Sequence, residues 1–523
     1  MIKNIFRHHA VLFLPRRSGF LFLVLILGMA AAYQFPHILT LRPQGLHQWR
    51  QCDCLAMTSR FQHGDAGFFR PAIHNLLNDG EGKTASEFPL IYWLVGMLWR
   101  VFGRHEWMFR MVNFLVSMAG MWAMFRILES RLRDTFWSLF AVGVFFTSSV
   151  VAYYSLNFLM NTTALSVALV GWYFFFRYAH EGRPLSLSLA MGLFLLAALL
   201  KMSAGMSFVA LLGLYVWETV LGSPLRGKGR LFLHPLVFLF QAVLVISLVL
   251  LWLHHVQAYN RAGNPAVFLV GILPVWDLGT EAIREVAVSM WRLWGDYYFP
   301  VFVHVFLVLA QLFAWIFYRK IPAMFHLLAG FFLVGGLAVV VLFYQPLRYH
   351  DYYLTDLFIL SFFVLLAFFC TVKAMDPDGR IHQRIVVKIL AVLFLVAAVS
   401  RTGDRTLDRY RGWMNQRHLS EFADYGTLEP VLDSLGIGRD VYVISKDDAS
   451  INVTLYLMDR YGWSAYGTDM GDSAQVVRRM EQGARVLLSH KEFDWGGQTH
   501  WNHLIGEEMG RHGNIRIYRL EMP

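Results

Sequence analysis

The chain has 523 residues, 56% of them hydrophobic, 16% aromatic and 16% charged, with mean hydropathy +0.45. Soluble globular domains carry roughly 25% charged residues, so this composition excludes an ordinary soluble protein and specifies a polytopic α-helical membrane protein. The net charge of +10 reports orientation first, because Lys and Arg collect in cytoplasmic loops, and it does not make nucleic acid the partner.

In chain order, the basic segment MIKNIFRHHAVLFLPRRSG precedes an apolar run at 20–36. No small-residue cleavage pattern follows it, so the run reads as an uncleaved first helix with its N-terminus inside. Lys3, Arg7, Arg16 and Arg17 are then cytoplasmic, and the loop 37–87 lies outside. Connections between spans need only a few residues, so a loop of this length has a task of its own. The stretch 44–90 holds His47, Trp49, Arg50 and Asp53, then Arg70, Glu87 and Pro89. An acid and a cation three residues apart beside a membrane suit a charged group at the water–lipid boundary; the plain alternative is a loop whose charges meet only water. Cys52, Cys54 and Cys370 form no disulfide framework, and the C-x-C around Asp53 has no further ligand spacing to make it a metal site.

The next apolar piece, FPLIYWLVGMLWRVFG at 88–103, is short for a span of about 20 residues and contains Arg100. Ten further runs follow: 107–128, 134–153, 161–179, 184–200, 204–221, 234–255, 297–318, 322–344, 353–373 and 384–400. If 88–103 does not cross, Arg131 and Arg133, Arg183, the group Arg226, Lys228 and Arg230, the pair Arg319 and Lys320, and Arg380 with Arg384 all fall inside. If it crosses, all of them fall outside. The positive-inside rule selects the first arrangement: 88–103 is a juxtamembrane or re-entrant helix, and about eleven spans remain.

On this topology the outer face also receives 154–161 (YSLNFLMN), Lys201 at the end of a span, the loop 256–296 and QPLRYHDYY at 345–353. Within that loop, TEAIREVAVSMWRLW puts Ile283, Val286, Ala287, Met290 and Trp294 on one helical face. Such a stripe suits a helix lying in the membrane interface or one packed on the protein itself. From 401 the composition turns polar, with strand-like DVYVIS, RVLLSH and NIRIYRLE among helical stretches. The chain thus divides into a membrane domain, 1–400, and a small soluble α/β domain, 401–523, which an odd number of spans leaves outside. His500 and His503 in THWNH lack the third ligand that a metal site needs.

HQWRQCDCLAMTSRF, EFPLIYWLVGMLWRVFG with HEWMFR after it, and RYHDYY before a late span resemble the GT-C membrane glycosyltransferases. The likeness is to the branch holding the dolichyl-phosphate-mannose protein mannosyltransferases and the bacterial aminoarabinose-type transferases. It extends over 1–400 in layout and is most specific over 44–128. The resemblance implies an essential acid in the first outer loop, here Asp53, and an E-x-P-L-like entry to a juxtamembrane helix, here Glu87 to Leu90. It implies a polyprenyl-phosphate-linked sugar donor, transfer on the outer face to a lipid, glycan or protein acceptor, and a bacterial inner membrane. Relatives often carry a second acid in a setting like Asn-Phe-Leu-Pro-Asp; this chain reads Asn157, Phe158, Leu159, Met160, Asn161. Asn161 can hydrogen-bond or cap the helix beginning at 162, but it is neither a carboxylate base nor a strong metal ligand.

A sugar on a lipid phosphate already has a good leaving group. What the reaction needs is a base for the acceptor hydroxyl and cations for the phosphate. Asp53 is the expected base; Arg50, Lys201, Arg348 and His350 are the expected phosphate cations, with Glu87 and Asn161 as further substrate-side groups. Snorkelling of Lys201 and solvation of Arg348 and His350 are their ordinary alternatives. One base opposite a leaving phosphate implies inversion. The residues require no cofactor; a divalent cation is the one metal they leave open. A glycan ligase or a non-catalytic envelope scaffold would share most of these features.

Overall fold

The computed structural model describes residues 17–225, 229–264, 267–268, 271–490 and 502–522. Lys3, Arg7, Arg16, Arg226, Lys228 and His500 lie outside the described residues. The chain divides into two compact units, each drawn from separated stretches of sequence. Unit 1 is Met1–Leu39, Arg110–Trp252 and Gly271–Leu407; unit 2 is Thr40–Phe109, Leu253–Val270 and Asp408–Pro523. The grouping is therefore not sequential, and residues 40–109 cluster with the C-terminal segment.

A helix occupies each of the eleven apolar runs, among them Arg17–Ala32, Glu106–Leu132, Asn161–Glu181, Pro184–Leu200, Met206–Thr219, Pro235–Ala262, Ala323–Leu342 and Ile385–Asp408. Among the described residues five helices are long and apolar enough to cross a membrane, or up to seven if two bent pairs each count as one span. The chain is an integral membrane protein. The run 134–153 is not one straight helix: Thr135–Phe145 and Ser149–Ser155 meet at 83°. Each half starts on its own cap, Asp134 accepting from Trp137 N–H and Ser148 from Val151 N–H, which is how a chain restarts a helix in a new direction.

In unit 1, aromatic rings fill much of the core. Trp172 meets Phe175, Phe194, Phe332 and Phe363 at centroid distances of 5.0–6.0 Å, mostly edge-on as ring quadrupoles prefer. The helical segment Thr280–Tyr298 meets Val301–Ile316 at 89°. Its stripe packs on the protein: Val286 is buried with Leu347 and Leu354, and Met290 lies against them. Of the two alternatives for this stripe, the chain takes the inward one, while Trp291 on the other face is 83% exposed.

In unit 2 the C-terminal stretch forms a five-stranded sheet in the order β2-β1-β3-β5-β4. Its strands are β1 Tyr442–Ser445, β2 Gly462–Ser464, β3 Ala484–His490, β4 Ile505–His512 and β5 Ile515–Leu520. β1 lies parallel to β2 and β3, and β5 antiparallel to β3 and β4. Ile444, Trp463, Leu487 and Leu520 share its core with Val476 and Met480 of helix Ser473–Glu481. The loop at 74–76 joins the β2 edge: Gly462 N–H donates to His74 O, and Leu76 N–H to Gly462 O at 2.7 Å.

Candidate active site

Helix Gln48–His63 carries the first-loop candidates. His47 enters it in the left-handed conformation, φ 59, and Gly64 leaves it at φ 86 with its N–H on Arg60 O, the glycine stop expected of a helix C-terminus. The helix is rich in polar residues, yet Gln48, Gln51, Asp53, Thr58, Ser59 and Arg60 are all buried. Burial is eased where their donors are matched: Gln48 donates to Pro43 O, Gln51 to Leu46 O, Thr58 to Cys54 O and Arg60 to Ile73 O, at 2.8–3.0 Å. Helix Leu90–Phe102 crosses it closely at Gly96, where a Cβ would stand 2.9 Å from Thr58 O and 2.8 Å from Phe61 Cβ.

Asp53 is 4% exposed. Asn452 donates from Nδ2 to its Oδ1 at 2.8 Å. Oδ2 accepts no hydrogen bond from the described residues and has Arg50 Nη1 3.9 Å away. Arg50 is itself held by Glu87, Nη2 to Oε2 at 2.5 Å, and lies 4.6 Å over the ring of Phe268; Ser86 Oγ also donates to Glu87. Arg50, Asp53 and Glu87 thus come together as a carboxylate–guanidinium–carboxylate row. Burial raises the Asp53 carboxyl, Arg50 and Asn452 pull it back, and the balance stands at about 6. A carboxylate there is ionised at neutral pH yet basic enough to take a proton. Cys52 and Cys54 are buried, free thiols, and burial pushes Cys54 up to about 12.

Lys201, Asn161, His350 and Arg348 all lie in unit 1, around the helical segment Asp351–Phe358. Lys201 Nζ lies 5.3 Å from the Tyr353 ring centroid and 6.0 Å from that of Tyr352. The His350 ring is 5.3 Å from Tyr352. Arg348 pairs with Glu285 at 2.6 Å, so part of its charge is met within the protein. Asp351 is buried and accepts from Tyr154 Oη at 2.6 Å; Asp356 accepts from Ser203 Oγ at 2.5 Å.

Asn161 does not cap a helix beginning at 162. It is the first residue of its helix and donates from Nδ2 to Tyr352 O at 3.0 Å. Asn161→Ala should therefore cost about 1–2 kcal/mol, the worth of a lost buried hydrogen bond. Asn161→Asp should cost more, because it removes the donor and aims a charge at a carbonyl oxygen. Thermal unfolding of both variants checks the order; an Asn161→Asp protein as stable as the native chain would refute it.

Several supports carried no local signal in the sequence. Arg110, fully buried, donates to Leu156 O at 2.9 Å and stacks on Phe158 at 4.2 Å. Asn113 donates to Asn157 O at 2.7 Å and accepts from Thr163. Both brace the loop that ends at Asn161. Among the described residues no three His, Cys, Asp or Glu side chains converge as a metal site requires. The direct contacts of Asp53 are a guanidinium and an amide, with Arg50 standing between it and Glu87, and two such donors beside one carboxylate do not make a cation's ligand set.

Residues 86–255 match the family model of dolichyl-phosphate-mannose-protein mannosyltransferases. The fold is similar to the crystal structure of ArnT from Cupriavidus metallidurans bound to undecaprenyl phosphate. That likeness covers 96% of this chain and 98% of ArnT at 10% identity, TM-score 0.58. The fold is that of the GT-C glycosyltransferases. The Archaeoglobus fulgidus oligosaccharyltransferase, in complex with Zn and sulfate, is similar over 95% of this chain and 72% of its own, at 12% identity and TM-score 0.53. The oligosaccharyltransferase AglB from Archaeoglobus fulgidus, in complex with an inhibitory peptide and a dolichol-phosphate, is similar over 90% of this chain and 70% of its own, at 10% identity and TM-score 0.50. No curated protein matches the sequence. The expected resemblance to membrane glycosyltransferases is thus met twice, in sequence over 86–255 and in GT-C fold along nearly the whole chain.

Proposed function

We propose that this GT-C protein is a glycosyltransferase that moves a sugar from a polyprenyl-phosphate donor to a hydroxyl acceptor, with Asp53 as the base. The observation that carries the reading is the Asp53 carboxylate: buried, fixed at Oδ1, open at Oδ2 and standing at about 6. Oδ2 takes the acceptor proton as the hydroxyl oxygen attacks the anomeric carbon; the bond to the lipid phosphate breaks and the phosphate leaves with the electron pair. Attack opposite the leaving group inverts the anomeric carbon. Lys201, Arg348 and His350 are the proposed phosphate-side cations. Arg50, engaged by Glu87 at 2.5 Å, is better suited to poising Asp53 than to releasing its charge to a phosphate. ArnT bound to undecaprenyl phosphate and AglB with a dolichol-phosphate support the donor class.

Membranes with and without the protein, given radiolabelled polyprenyl-phosphate mannose or aminoarabinose, test the reading; label should reach an acceptor only when the protein is present. The likeness to an oligosaccharyltransferase favours a ligase as the second reading, and product size separates one sugar from a chain. Absence of transfer with either donor would leave the scaffold reading.

For topology we propose eleven spans in a bacterial inner membrane, with 88–103 not crossing and 401–523 periplasmic. Helix Leu90–Phe102 has 13 residues, about 20 Å at the helical rise against a hydrocarbon core of about 30 Å. Reporter fusions after residues 104, 131 and 420 should read outside, inside and outside; an inside signal at 420 would overturn the arrangement.

A further inference from the structure

Asn452 stands immediately before helix Val453–Leu457, where an asparagine ordinarily caps the first N–H groups, yet its side chain makes no cap. Ser450 and Asp448 do that work instead. Ser450 Oγ accepts from Val453 N–H at 2.9 Å; Asp448 Oδ2 accepts from Thr454 N–H at 2.9 Å and Thr454 Oγ1 at 2.7 Å. The fully buried Asn452 amide is left for other partners. Its Oδ1 accepts from Asn75 N–H at 3.0 Å and its Nδ2 donates to Asp53 Oδ1 at 2.8 Å. A backbone N–H can only donate, so the amide cannot be reversed, and the end facing Asp53 is the donor. Asn75 is fixed in turn: its Nδ2 donates to Ile451 O and Ser464 Oγ at 3.0–3.1 Å. Gly82 closes the same loop at φ +70, where a Cβ would stand 2.5 Å from Asn75 O.

From this network we infer that Asn452 is the positioning residue of Asp53, holding Oδ1 in place and leaving Oδ2 to the reacting proton, so that a residue near the C-terminus completes a site in the first outer loop. The inference rests on the reading of Asp53 as base. A neutral donor suits the task, because it favours the carboxylate without supplying a full charge that would abolish its basicity. The other groups facing Asp53 are Arg50, Cys52 and Cys54 on its own helix, Glu87 before helix Leu90–Phe102, and Asp448 and Tyr466 from the C-terminal stretch. Of these, Arg50 is the other group that favours the anion.

The test is the pH dependence of transfer by the full-length protein, with the radiolabelled polyprenyl-phosphate mannose or aminoarabinose donor that supports turnover. Asn452→Ala should lower kcat by on the order of ten- to a hundred-fold, as loss of a hydrogen bond to a charged group does. KM for the donor should hold, and the acidic limb should move up by about one pH unit. Asn452→Asp, nearly isosteric, should move the limb further, since like charges disfavour joint ionisation. Ser450→Ala removes a cap of the same helix without touching Asp53; it should lower the unfolding temperature and leave the limb in place. A native kcat and limb in a folded Asn452→Ala or Asn452→Asp protein would overturn the inference, as would an equal limb shift in Ser450→Ala. Full turnover in Asp53→Asn would instead overturn the base itself, whatever Asn452 does.

Discussion

Asp53→Asn should reduce turnover by about 10²–10⁴-fold, the range a general base supplies, with donor binding largely kept. The substitution preserves size and leaves an oxygen that can still accept from Asn452 Nδ2, now 2.8 Å from Asp53 Oδ1. It removes the anion and with it the proton acceptor. Native turnover should in turn fall on the acid side as Asp53 is protonated near pH 6, where burial has raised it against the pull of Arg50 and Asn452. Single-turnover transfer with matched amounts of folded protein checks both statements. Turnover within about three-fold of native, or an acidic limb near the ordinary carboxylate value of about 4, would remove Asp53 from the chemistry.

The largest expected loss of stability is at Asp459. Its carboxylate is fully buried and pairs with Arg104 at 2.6 Å and with Arg439. Arg104 also stacks on Tyr456 at 4.7 Å and donates to its carbonyl at 3.1 Å. Asp459→Ala leaves Arg104, whose side chain is only 15% exposed, without its anion, and breaking such a pair costs up to about 3 kcal/mol, the low end for a fully buried one. Burial pushes Asp459 up, but Arg104, His74 and Arg439 outweigh it and bring it down to about 2. A folded-state value below the unfolded one makes the pair's contribution complete above about pH 4. That contribution is lost only as pH falls through about 2. His74 acts in the same direction with acid but begins at a higher pH: burial holds it at about 3 against an unfolded value of about 6.5. Below about pH 6.5 the unfolded chain therefore takes up a proton that the folded one refuses. Unfolding curves from about pH 8 to about pH 4 should show stability declining below about pH 6.5, with the decline reduced in His74→Gln and retained in Asp459→Ala.

Local pattern was enough to find the apolar helices, because burying a helix in lipid takes a continuous run of hydrophobic side chains and nothing distant can supply it. It was also enough to single out Arg50 and Asp53, three residues apart, but not to show the helix that carries them in what reads only as loop. Pattern failed where structure depends on partners far along the chain. Asn452 reads locally as an ordinary asparagine before a helix. Glu285 falls on the polar side of an amphipathic stretch, with nothing to mark its pairing with Arg348. Strand β2 has three residues and exists because β1 and the loop at Asn75 flank it. Strand β4, with Glu507, Glu508 and Arg511 on an edge, has no alternation to betray it. The break between Phe145 and Ser149 is hidden for another reason: Phe146, Thr147 and Ser148 carry no charge, Gly or Pro, and so do not interrupt the apolar run.

The separation of 399 residues between Asp53 and Asn452 also sets an order of events during synthesis. At about 5–20 residues per second, helix Gln48–His63 is made some tens of seconds before the residue that fixes its carboxylate. Throughout that interval helix Gln48–His63 has neither the loop-closing contact at Asn75 nor the neighbouring helix Val453–Leu457. Its buried polar side chains must wait in water or with a chaperone. Maturation of the protein is thus tied to delivery of its C-terminal stretch, and a chain halted before it would carry every membrane helix yet hold its carboxylate unmoored.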